Sequence, residues 1–288
     1  MKIGFVGDVH GRMFHTLAVL ATWQLKSNEK LDLIIQVGDL GAYPFPTQDM
    51  INSRFVLEDP TELDFSKFLN AKGILFENLL YIKNEINTPI YFIRGNHEDF
   101  SWLNEISKNN KITNIDRLNL FHYVVDGTVM KINDSNIAFL GGIETDREND
   151  TSIKLTQYNK LFNYKEREID ILVTHDAPYG IGVNFKGQVQ GSKKISSLIK
   201  KIQPRYHIAG HYHHLNGPRM YDHTTYLGLN VLVPPLRKDP LRRVQPGSIA
   251  ILDTTLNKLR VLEDEWLTQF STINFDFNEF IEWYKREV

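Results

Sequence analysis

The sequence predicts an α/β fold built on two packed β-sheets, and three observations carry that expectation. Short apolar runs rich in β-branched and aromatic residues recur along the chain and end at Gly, Asp or His. Stretches of helical spacing separate the early runs, an order that implies right-handed crossovers and a largely parallel sheet. Later runs follow one another closely across turn residues, the pattern of antiparallel strands.

The elements follow in order. Ile3–Val6, Leu33–Val37 and Ile90–Ile93 read as buried strands. Between the first two, Leu17, Leu20 and Ala21 set an apolar stripe on a helix over Thr16–Leu25. Between the second and third, Phe65, Phe68, Leu69, Phe76, Leu79 and Leu80 mark a longer helical stretch with Gly73 as a break, and the aromatics Phe65, Phe68 and Phe76 read as core. Phe121–Val125, Val129–Ile132 and Ile137–Leu140 flank Asp126-Gly127 and Asn133-Asp134, so they are expected to pair as antiparallel hairpins. Ile169–Val173 and Ile249–Leu252 are further strands, and Tyr206–Ala209 is a weaker one. Ile195, Leu198 and Ile199, flanked by Lys193, Lys194, Lys200 and Lys201, describe an amphipathic helix with a solvated basic side. Asp276 and Glu279 form a capping box for a C-terminal helix over residues 276–286. No repeat or Gly/Ser/Pro-rich linker divides the chain, and one domain over residues 1–288 is expected.

The 288 residues are 42% hydrophobic and 24% charged, which is ordinary globular composition with length enough for a large core. A formal net charge of −2 argues against gross electrostatic binding to nucleic acid or anionic membrane. There is no cysteine, so a metal would be held by nitrogen and oxygen ligands and no disulfide exists. Met1–Asp8 reads directly as a strand, and no apolar run approaches the roughly 18 residues of a membrane span; a cytoplasmic protein is expected.

Five clusters concentrate the chemistry: Asp8-Val9-His10, Gly38-Asp39, Gly95-Asn96-His97-Glu98, Thr174-His175-Asp176 and Gly210-His211-Tyr212-His213. Each alone is weak, since a Gly-Asp more often ends a strand than binds a metal. Each, however, follows a strand-like run, and in open α/β sheets the carboxyl ends of neighbouring strands converge on one crevice. Imidazole and carboxylate suit borderline divalent metals. A carboxylate between two cations offsets their repulsion, and such a pair activates water near neutral pH and clamps a phosphoryl centre.

As an ordered set from Asp8 to His213 the clusters resemble the calcineurin-like metallophosphoesterase family. The resemblance implies a four-layer αββα sandwich and a two-metal phosphoester hydrolase. It implies one cation on Asp8, His10, Asp39 and His213, and a second on Asp39, Asn96, His175 and His211, bridged by Asp39. His97 would face the substrate as the proton donor to the leaving oxygen. The metals would be manganese, with Fe²⁺, Zn²⁺ and Ni²⁺ as alternatives. The surroundings of Gly38-Asp39-Leu40, Gly95–Glu98 and Asp170–Pro178 are also similar to RNA lariat debranching enzymes, although those typically carry Cys where Asp8 stands. Protein phosphatases of this superfamily follow the bridging Asp with Asp-Arg-Gly, and here Ala42, Tyr43 and Pro44 occupy those places. The arginine that grips a monoester is therefore missing. The leading expectation is hydrolysis of a phosphodiester or nucleotide, including RNA, by water activated on the metals. A monoester phosphatase and a non-catalytic scaffold are the alternatives, and no obligate protein partner is evident.

Tyr43, His214 and Arg12 are candidate substrate contacts. His15, His122, His207 and His223 belong to no cluster and read as surface or satisfied core residues. Asp176 is balanced between a cap and a partner of the metal ligands. Arg237, Lys238, Arg242 and Arg243 form a basic loop read as solvated surface in preference to a polyanion contact.

Overall fold

Strand β1 (Lys2–Val6) sends Ile3 and Phe5 to one face and Val6 to the other, and this period-two division runs through the molecule. The computed structural model describes residues 1–183 and 186–288. After β1 come α1 (Met13–Ser27) and β2 (Leu33–Gln36), then an insertion carrying the short helices α2 (Gln48–Ile51) and α3 (Arg54–Glu58). Thr47 and Ser53 start those helices by accepting hydrogen bonds from the Met50 and Val56 amides. Next are α4 (Asp64–Leu69), α5 (Gly73–Ile86), β3 (Ile90–Phe92), α6 (Phe100–Ile106), β4 (Ile112–Asn114) and β5 (Phe121–Val124). The second half runs β6 (Thr128–Ile132), β7 (Ser135–Leu140), α7 (Leu155–Phe162), β8 (Ile171–Thr174), α8 (Lys193–Ile202) and β9 (Tyr206–Ala209). It closes with β10 (Asn216–Tyr221), β11 (Thr224–Gly228), β12 (Ile249–Asp253), β13 (Lys258–Val261) and α9 (Phe277–Glu287).

One sheet has seven strands in the order β13-β12-β1-β2-β3-β5-β4, and the other six in the order β10-β11-β9-β8-β7-β6. In the first, β1, β2, β3 and β5 are parallel; in the second, β7, β8, β9 and β11 are. Three apolar cores stack between the layers. One joins α1, α4, α5 and α9 to the first sheet, one lies between the sheets, and one joins the second sheet to α7 and α8. On β7, Ile137 and Phe139 enter the core between the sheets while Ala138 and Leu140 enter the helix-covered one. This is the expected four-layer αββα sandwich.

The expected pairing of β5 with β6 is corrected. β5 stays in the first sheet beside β3, and the chain crosses between sheets at Val125–Gly127; of β5, β6 and β7, the last two alone pair with each other as a hairpin. Alternation looks the same in either case, because both arrangements bury one face of each strand. The tertiary ties decide it: the Asp126 carboxylate is buried and accepts hydrogen bonds from the Gly141 amide and Arg94 Nε, so this is an internal crossover and not a solvated turn. The weak Tyr206–Ala209 run is a fully buried strand. Asp276 caps α9 by accepting from the Asn278 and Glu279 amides, as the sequence implied. No helix among the described residues is long and apolar enough to cross a membrane.

Candidate metal centre and its clefts

Five strands end at one place. Asp8, Asp39 and Asn96 follow β1, β2 and β3 of the first sheet, and His175 and His211 follow β8 and β9 of the second. The parallel direction of these strands puts their carboxyl ends on one edge, and face-to-face packing brings the two edges together. One ligand atom each of Asp8, His10, Asp39 and His213 lies within 4.8 Å of the others. His213 Nε2 stands 3.0 Å from His10 Nε2 and 3.0 Å from Asp8 Oδ2. On the other side of Asp39, His175 Nε2 lies 3.4 Å from Asp39 Oδ1 and 3.1 Å from Asn96 Oδ1. The His211 ring is edge-on to that of His175, with centroids 5.2 Å apart. The six other residues named from the sequence as ligands thus gather near Asp39.

The backbone is strained where the ligands sit. His10, Asp39, His211 and His213 have positive φ of 48°, 53°, 71° and 54°, a region costly for residues with a Cβ. Two motif glycines have a steric reason. A Cβ on Gly95 would collide with the Asp39 carboxylate, and one on Gly210 with that of Asp8. The donors are also oriented from behind. His175 Nδ1 bonds the Val37 carbonyl at 3.0 Å, which directs Nε2 at Asp39. Asp39 Oδ1 accepts from the Asn96 and His97 amides at 2.7 and 2.8 Å, and Asp8 accepts from the His211 amide at 3.0 Å.

This arrangement fits divalent cations on its own evidence. Asp39 Oδ2 is buried and has no hydrogen-bond partner, although a buried carboxylate oxygen normally has one. His10 Nε2 lies 3.8 Å from it. Burial pushes the His10 and His211 imidazoles down to about 3 and about 4, which keeps them neutral as metal ligands must be. Burial opposes charge on His175 too, but Asp39 and Asp8 outweigh it and raise this ring to about 10. The same pairing holds Asp39 well below the usual carboxylate range against its burial. The carboxylates thus create a strong demand for positive charge at this point.

His97 is exposed beside the cluster, with its ring centroid 5.4 Å from that of His10. Two clefts open from the His10–His97 pair. One, of about 550 Å³, is walled by Tyr43, Phe45, Met50 and Phe55 of the insertion. The other, of about 640 Å³, runs past His213, Pro235, Leu236 and Arg237. Phe55 and Glu62 border both, so α3 and the turn after it divide them. Tyr43 is half-buried, and burial followed by the Glu98 carboxylate raises its hydroxyl and keeps it a neutral phenol.

The other sequence-named residues resolve differently. Arg12, expected at the substrate, borders the second cleft but its guanidinium is committed. Nε and Nη2 donate to Asp59 at 2.9 and 2.7 Å, Nη2 also to Glu62 at 3.0 Å, and Nη1 to the Val9 and His10 carbonyls. It braces the loop that carries His10. His214 turns its ring onto the Tyr212 carbonyl and lines neither cleft. Asp176 is buried and accepts from the Glu144 and Ala177 amides. Arg242, read as solvated surface, is buried and donates to Asp59 at 2.7 Å. His15 and His207 are buried in the core, the latter bonded to Thr174. Two supports escaped the sequence reading. Glu98 accepts from the Leu40, Ala42 and Gly95 amides and so clamps the Asp39 loop to the Asn96 loop. Its place in Gly-Asn-His-Glu was the available signal. Asp59, which joins Arg12 to Arg242 across the fold, had none.

The fold and this cluster define a class, the metal-dependent phosphoesterases. The chain belongs to the calcineurin-like phosphoesterase family, whose model matches residues 1–215. It is 24% identical over 248 residues to a lariat debranching enzyme of Drosophila pseudoobscura pseudoobscura, covering 74% of this chain and 42% of that one. The lariat debranching enzyme of Arabidopsis thaliana is 23% identical over 246 residues, covering 74% and 54%. The chain thus spans about half the length of the curated relatives it matches. Among solved structures, TT1561 of Thermus thermophilus superposes with a TM-score of 0.51 at 15% identity, covering 91% of this chain and 98% of that one, a likeness of fold.

Proposed function

We propose that the chain is a two-metal phosphodiesterase acting on nucleotide or RNA diesters. The observation that carries this reading is Asp39: one oxygen is bound by two amides and lies 3.4 Å from His175 Nε2, and the other is buried without a partner 3.8 Å from His10 Nε2. Asp8, His10 and His213 would share it with a first cation, and Asn96, His175 and His211 with a second. Cations bound there supply Lewis acidity at a phosphoryl oxygen and make water nucleophilic at neutral pH. The chain's own residues do the rest. The Gly95 and Gly210 turns hold the carboxylates in place, and Arg12 fixes the His10 loop. His97, exposed and adjacent, would give the leaving oxygen its proton.

A diester is favoured over a monoester by what surrounds the cluster. Monoesters carry nearly two charges and are usually gripped by a bidentate arginine. Arg12 is consumed by Asp59 and Glu62 and Arg94 by Asp126, which leaves Arg237 on the outer wall of one cleft as the arginine bordering it that is unpaired among the described residues. Tyr43 and Phe45 instead offer ring faces to a base or sugar. The names of the relatives, lariat debranching enzymes, favour an RNA diester. After chelation and reloading with Mn²⁺, bis-p-nitrophenyl phosphate should exceed p-nitrophenyl phosphate in kcat/KM. A tenfold or greater preference for the monoester overturns this reading in favour of a phosphatase.

A further inference from the structure

The two clefts that share His10 and His97 have opposite electrostatic character. The cleft at Tyr43 is bordered by the carboxylates of Glu62, Asp99 and Asp150 and by no lysine or arginine. The cleft at His213 is bordered by Arg12, Arg54, Arg237 and Arg242 against two carboxylates, Glu58 and Glu62. Most of that positive charge is spent internally. Arg12 and Arg242 converge on Asp59, and Arg54 pairs with Glu58. Arg237 differs: it is exposed on the cleft wall and makes no ion pair or hydrogen bond among the described residues. It stands in the turn that follows Pro234-Pro235, closed by the Lys238 amide donating to the Pro235 carbonyl.

Resting on the phosphodiesterase reading, we propose that the site takes an asymmetric diester, one arm of which carries a further phosphate, and that Arg237 binds that second phosphate. An uncharged aromatic group, base or aryl, occupies the Tyr43–Phe45 cleft, whose carboxylates repel a phosphorylated arm. The phosphorylated arm lies in the other cleft, where a planar guanidinium matches two phosphate oxygens at once. The site therefore has a polarity and selects a nucleotide chain by its next phosphate.

The test uses the Mn²⁺-loaded full chain and two probes that differ by one group: the p-nitrophenyl ester of thymidine 5′-phosphate, and the same ester with an added 3′-phosphate. The expected result is a kcat/KM about tenfold higher for the 3′-phosphorylated probe, expressed mainly in KM. R237A should abolish that ratio, and R237K should restore it in part. R147A, an exposed arginine outside both clefts, should leave both rates and their ratio unchanged. Titration with thymidine 3′,5′-bisphosphate gives a reading independent of turnover, and R237A should weaken its binding about tenfold. A wild-type ratio near one, a ratio that survives R237A, or equal losses on both probes overturns the assignment while the diesterase reading stands. Failure of the wild type to hydrolyse either probe or bis-p-nitrophenyl phosphate overturns both.

Discussion

At the scale of single residues the site separates groups that hold charge from groups that move a proton. Asp39 belongs to the first kind, since its carboxylate lies 3.8 Å from His10 Nε2 of one proposed ligand set and 3.4 Å from His175 Nε2 of the other. Asp39→Asn should therefore lose more than one equivalent of Mn²⁺ per chain under saturating conditions, while His213→Ala weakens mainly one site. Metal analysis of the purified variants checks this, and full occupancy with intact activity in Asp39→Asn removes the bridging role. In the proposed mechanism His97 belongs to the second kind, because its ring lines both clefts and the seven residues assigned to the cations do not include it. His97→Ala should lower kcat by about 10²–10⁴-fold with metal content unchanged. The loss should be smaller for p-nitrophenolate than for an alkoxide leaving group, since the former needs little protonation. Equal losses with both leaving groups would remove the acid role.

At the scale of elements, what was legible followed from locality. The strands before the clusters, the α1 stripe and the Asp276 cap each depend on neighbours a few residues away, so pattern revealed them. The β5-to-β6 crossover did not, because Asp126 chooses between turn and internal tie only through Arg94 and Gly141. Of the site, the gathering of the proposed ligands was legible because strand ends carry them, whereas the commitment of Arg12 was hidden in Asp59, 47 residues away. That carboxylate fastens the insertion to the His10 loop and, through Arg242, to the C-terminal loop. Asp59→Asn leaves two buried guanidiniums without their shared counter-charge and should cost about 3 kcal/mol in denaturant unfolding, with metal affinity weakened as the His10 loop loosens. The pH dependence has a definite sign. Burial would raise Asp59, but Arg12, Thr61 and Arg242 more than offset it and hold the group below its ordinary value. The stabilisation is then fully present above the unfolded carboxylate range and is lost as pH falls through the depressed folded value. The gap between wild type and Asp59→Asn should stay constant from neutral pH down to about 5 and narrow only in stronger acid. A gap that closes near neutrality removes Asp59 from this role.

At the scale of the whole molecule, the cluster lies where two sheets meet, and the proposed ligands come from both. Asp8, Asp39 and Asn96 belong to the first sheet, and His175, His211 and His213 to the second. Protein bonds already cross that seam: the His211 amide donates to Asp8, and His175 Nδ1 bonds the Val37 carbonyl. Cations added at the same edge would join the sheets a second time, in the folded state only. Mass action then sets the gain at about 2.7 kcal/mol for free metal at 100 times Kd, on the order of 5 °C in Tm. The distribution of that gain is more telling than its size. Metal bound at one edge should protect the amides of Asn96, His97 and His211, which point into the cluster, from hydrogen exchange. It should leave β4 and β13 nearly unchanged, since those strands are the outermost of the first sheet. Exchange measured after chelation and after Mn²⁺ reloading separates the outcomes. Protection confined to the loops after β1, β2, β3, β8 and β9 supports a staple between sheets. Uniform protection across both sheets, or none, shows that metal does not act through this seam.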